Sequence, residues 1–128
     1  MLIELSITPL GGDAHASDEL AEVLKIVDES GLPYQLTPTA TCIEGAWDEV
    51  MPLIKRCHQR AREMSPHVIT TIKIEDEEGA TGKLTSNVRS LEEKLGRKLG
   101  RAETTAPTKV ETKASAAAAE KDISIGKD

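Results

Sequence analysis

The stretch GLPYQLTPTATCIEGAWDEV, residues 31–50, places a helix end, two short strands and a helix start within twenty positions. Gly31 stands where a helix closes on a left-handed residue. Tyr34–Thr37 and Thr41–Glu44 read as strands, and Pro38, Thr39 and Ala40 between them predict a hairpin. Gly45 opens the next helix, whose apolar positions Trp47, Val50, Ile54, Cys57, Ala61 and Met64 step by three or four along one side. Pro52 falls early enough in it to be tolerated or to bend it.

Upstream, MLIELSIT alternates Ile3, Leu5 and Ile7 with Glu4, Ser6 and Thr8, the mark of a strand buried on one face. Pro9, Gly11 and Gly12 end it. Ser17 then takes the N-cap position of a helix, with Asp18 and Glu19 in its first turn and Leu20, Val23, Leu24 and Val27 on its apolar face. Downstream, VITTIKI at 68–74 is rich in β-branched residues and predicts a fourth strand. Leu84, Val88, Leu91, Leu95 and Leu99 mark a last helix before Gly100.

The order is βαββαβ plus a C-terminal helix. The economical solution is an α+β, ferredoxin-like fold, a four-stranded antiparallel sheet with helices on one face. The other face must meet water, a partner sheet or a ligand, and function is expected there. Alternation puts Glu4, Ser6 and Thr8 on that face, with Cys42 and Glu44 from the third strand and Ile69, Thr71 and Lys73 from the fourth. The second strand offers either Gln35 and Thr37 or Tyr34 and Leu36, because a one-residue slip exchanges faces. Hydroxyls beside carboxylates can hold a small polar heterocycle. The same residues are also what an ordinary solvated face carries, and Glu4 with Lys73 would make an ordinary cross-strand ion pair.

Composition narrows the function. The chain has 128 residues, 38% hydrophobic, with Tyr34 and Trp47 as its only aromatics. One domain is expected over 1–100, followed by a low-complexity, disordered tail over 101–128, where basic and acidic residues balance five against five. The formal charge of −6 therefore belongs to the folded part. Few rings and a negative charge argue against nucleic acid. No run reaches the roughly 18 apolar residues of a membrane span, and Glu4 and Ser6 interrupt any leader, so a cytoplasmic location is expected. Cys42 and Cys57 lack metal or redox spacing and read as reduced thiols. His15, His58 and His67 share no spacing and read as structural. Phosphate-loop and nucleophile-elbow motifs are absent, so no enzyme, metal or cofactor is expected.

ELSITPLG at 4–11, the hairpin stretch at 31–50 and VITTIKIED at 68–76 resemble the small thiamine-binding proteins of the YkoF-like group, over residues 1–99. The resemblance implies a non-catalytic protein that pairs sheet to sheet into a homodimer or homotetramer. It also implies a pocket for thiamine or its hydroxymethylpyrimidine half near that interface. By position, the implied ligand-binding residues are Ser6, Thr8, Tyr34, Thr37, Thr41 and Glu44, with the Glu44 carboxylate first among them. The competing expectation is a structural or regulatory homo-oligomer without such a ligand. The family's arginines around the fourth strand have no counterpart at Ser65–His67 or Glu75–Glu78.

Overall fold

A computed structural model describes residues 1–11 and 16–100. Gly12, His15 and the whole of 101–128 lie outside the described residues. Met1–Lys98 forms one compact unit with β1 (Leu2–Leu10), α1 (Ala16–Glu29), β2 (Tyr34–Leu36), β3 (Thr41–Glu44), α2 (Trp47–Met64), β4 (His67–Glu75) and α3 (Lys83–Leu95). The strands form a single antiparallel sheet in the order β2-β3-β1-β4. This is the ferredoxin-like α+β fold that the element order predicts.

The periodicities explain the core. Ile3, Leu5 and Ile7 of β1 and Ile43 of β3 meet Val23 and Val27 of α1 and Val50, Leu53, Ile54, Cys57 and Ala61 of α2, all buried. At about 25 cal/mol per Å² of apolar surface, this cluster is the main favourable contribution to folding. His58 Nδ1 and Thr70 Oγ1 share a 2.6 Å hydrogen bond that ties α2 to β4. Gly31 closes α1 with φ +74°, a conformation other residues adopt only with strain.

Three local expectations are corrected. The first helix begins at Ala16, so Ser17 lies in its first turn rather than before it. Trp47, read as a core position, is 56% exposed, and it is the first residue of α2, one turn before the buried run that starts at Val50. The last helix ends at Gly96, φ +64°, whose N–H is accepted by the Glu92 and Glu93 carbonyls. It therefore stops before Leu99.

The two thiols differ in environment. Burial pushes Cys57 up to about 11, whereas Cys42 is half-buried and raised by burial and by Glu4 opposite it. At pH 8 a thiol reagent should label Cys42 in the native protein and reach Cys57 only through unfolding. The folded state keeps the Cys57 proton where the unfolded chain releases it, near pH 9. Stability should therefore fall as pH rises between about 9 and 11, and equal labelling of both thiols under native conditions would contradict this.

Candidate ligand-binding site

β1 has nine residues and β3 four, and this mismatch creates the site. The β1–β3 ladder runs from Leu2↔Glu44 to Leu5↔Thr41 and stops, while β1 continues to Leu10 along β4. Beyond Leu5 the strand therefore has a neighbour on one side only. On the other side lies a cavity of about 260 Å³, floored by Leu5 and Ile7, walled by Val23 and Val27 of α1, and closed by Leu36 and the turn 37–41. It lies below the roughly 300–1,000 Å³ of pockets for drug-sized ligands and suits one small ring.

Thr37 shapes the turn. Its N–H and hydroxyl both donate to the Ala40 carbonyl at 2.8 Å, and its oxygen accepts the Ala40 N–H at 3.1 Å. Thr41 follows. Paired with Leu5, it points to the helix side of the sheet and is 6% exposed, and among the described residues its hydroxyl has no hydrogen-bond partner. That oxygen opens on the cavity rather than being sealed in the core, so a ligand group reaching it would gain a hydrogen bond worth about 0.5–1.5 kcal/mol. Ser6 and Thr8 line the rim, their side chains alternating onto the uncovered face. Among the described residues no titratable side chain lines the cavity, which favours a neutral ring over a charged one.

Four of the six residues expected from the sequence, Ser6, Thr8, Thr37 and Thr41, therefore line one cavity. The other two stand elsewhere. Tyr34, paired with Ile43, turns to the helix side and donates to Asp28 Oδ1 at 2.7 Å, a bond that raises its pKa. Glu44 ends β3 about 10 Å along the strand from Thr41. Its Oε2 accepts the Lys83 N–H at 2.6 Å and the Leu84 N–H at 3.4 Å, so it holds the start of α3.

Glu44 and Glu75 flank Leu2 in the register, on the uncovered face. Glu75 accepts from Lys83 Nζ and from Asn87, and Lys83 also pairs with Glu77. The first turn of α3 is thus seated over one end of that face. Farther along, Glu4, Thr71 and Lys73 are exposed and Ile69 is 50% exposed. Glu4 and Lys73 oppose each other without forming an ion pair.

The cavity wall contributed by α1 and Leu36 lies outside what the sequence pattern predicts, since that pattern points to the uncovered face. The signal in the sequence is the unequal length of neighbouring strands, MLIELSIT against TCIE. Replacing Glu44 with alanine should cost about 1 kcal/mol of helix anchoring, as loss of an N-terminal cap does. Limited proteolysis before Lys83 should then speed up while affinity for a ligand in the cavity stays unchanged. A loss of affinity would put Glu44 in the binding site.

A family model described as thiamine-binding protein matches residues 3–92. A UPF0045 protein of Mycobacterium bovis is 34% identical over 96 residues, 74% of this chain and 94% of that protein. Among solved structures, a hypothetical protein of Methanocaldococcus jannaschii superposes with a TM-score of 0.66 at 22% identity, covering 72% of this chain and 95% of that one. A Thermotoga maritima protein provisionally assigned to thiamine biosynthesis or salvage does so with a TM-score of 0.63 at 16% identity, covering 70% of this chain and 96% of that one. At these identities the two structures bear on the fold alone.

Proposed function

Because this chain belongs to the thiamine-binding protein family, we propose that it is a non-catalytic binder of thiamine or of its hydroxymethylpyrimidine half, taken up in the cavity between α1 and the hairpin turn. The observation that carries this reading is the Thr41 hydroxyl, which has no partner among the described residues and lines a cavity it shares with Ser6, Thr8 and Thr37. A neutral lining supports holding the pyrimidine ring inside and leaving the charged thiazolium at the mouth. It also supports binding without chemistry, since among the described residues no lining group is a carboxylate or an imidazole. No cofactor is required. Among the described residues no helix is long and apolar enough to cross a membrane, and the role fits a cytoplasmic protein.

The protein acts as a homo-oligomer, a dimer or tetramer built by apposing uncovered sheet faces. Ile69 on that face and Val88, Leu91 and Leu95 of α3 leave about half or more of their surface to water, which a second copy would cover. Ser6 and Thr8 belong to both the cavity rim and that face, which supports a ligand held near the interface.

Calorimetric titration of the full chain with thiamine and with hydroxymethylpyrimidine tests the reading. One site per chain is expected, with the pyrimidine alone retaining most of the affinity. Absence of heat at millimolar ligand would leave the purely structural oligomer as the better reading.

A further inference from the structure

The cavity exposes main chain as well as side chains. Met1 and Gly45 exchange hydrogen bonds, the Met1 amino group donating to the Gly45 carbonyl at 2.9 Å and the Gly45 N–H to the Met1 carbonyl at 3.1 Å. In an antiparallel strand the N–H and C=O of one residue point the same way, and the direction alternates along the chain. The odd-numbered residues of β1 therefore address β3 and the even-numbered ones β4. Pro9 agrees independently. It pairs with Val68 in register, yet its missing N–H costs no ladder bond, because its nitrogen turns to the side where β3 has ended.

The same parity turns the N–H and C=O of Ile7 into the cavity. Continued by one rung, the register would set Thr39 opposite Ile7. The ladder stops short of that pairing, β3 beginning only at Thr41 after the turn that Thr37 and Ala40 close between them. Ile7 is 7% exposed, and among the described residues its N–H and C=O have no partner on this side. A strand edge with unpaired N–H and C=O groups is a ready template for pairing, so this edge offers itself to a partner.

We infer that the free edge of β1 at Ile7 reads the ligand as an opposing strand would, by accepting from a donor and donating to an acceptor on adjacent atoms of a flat ring. This rests on the binding reading above and specifies its ligand class. An aminopyrimidine qualifies through its exocyclic amine, which donates to the Ile7 carbonyl, and the neighbouring ring nitrogen, which accepts the Ile7 N–H. A pyrimidinone lactam qualifies equally, through its ring N–H and carbonyl. Recognition by a side-chain carboxylate would reject the lactam, whose carbonyl oxygen would face an anion.

The test combines three probes with one resonance. 4-Amino-2-methylpyrimidine and 2-methylpyrimidin-4-one should bind the full chain with affinities within about tenfold of each other. 4-Dimethylamino-2-methylpyrimidine, which keeps the acceptor and loses the donor, should bind at least about tenfold more weakly, the loss of one hydrogen bond with its carbonyl left unpaired. In ¹H–¹⁵N spectra the Ile7 amide proton should shift downfield and become protected from solvent exchange with the first two probes. Binding that leaves the Ile7 amide unmoved, or equal affinity for the dimethylamino compound, overturns this inference while the binding reading stands. Failure of every probe, thiamine included, to bind overturns both.

Discussion

Thr41→Val should leave the fold as stable as before, or more so, while weakening binding of the pyrimidine ligand by about 10- to 100-fold. The side chain is buried on the core face of β3, beside Leu5, and its hydroxyl has no protein partner. Exchanging that hydroxyl for a methyl breaks no hydrogen bond among the described residues and adds a residue suited to strands, so thermal unfolding should move up or stay level. The ligand group left unpaired in the cavity would cost about 1–3 kcal/mol, which is the stated range in affinity. Few substitutions separate folding from binding so cleanly. Melting curves and titrations on the same preparation decide it. Unchanged affinity would remove Thr41 from the site.

Ile43→Ala should give the largest loss of stability, about 2–5 kcal/mol, the range for truncating a buried branched side chain. Ile43 is fully buried on an inner strand, between Ile3 across one ladder and Tyr34 across the other. A domain of this kind has about 5–15 kcal/mol in total, so one truncation removes a large share of it. Trp47→Ala, which deletes far more surface, should change stability by no more than about 0.5 kcal/mol, because that ring projects into water. Urea titration of the two variants measures the contrast. A tryptophan variant as damaged as the isoleucine one would mean that Trp47 is covered in solution, the covering surface then being a second copy.

What the sequence made legible follows from physical range. The period-two alternation in β1 identified Ile3, Leu5 and Ile7 as the buried set, because each residue's face is fixed by its nearest neighbours. The hairpin was legible for the same reason, with β3 found at Thr41–Glu44. Its parity stayed open until the register paired Gln35 with Cys42, which sends Tyr34 and Leu36 to the helix side. Glu44 shows the limit. Its carboxylate is engaged by main-chain groups 39 and 40 residues away, a contact set by where α3 returns rather than by any local pattern. The cavity is likewise a property of two strands ending at different points beneath a helix. Its hydroxyl residues could be named from the resemblance, but their meeting at the helix-side edge needed the register.

Cocrystallisation with hydroxymethylpyrimidine examines the binding site most directly. The ring should lie between α1 and the turn 37–41, against the β1 edge and within hydrogen-bonding reach of Thr41. A ring bound on the uncovered sheet face beside Glu44, with the cavity left empty, would contradict that placement.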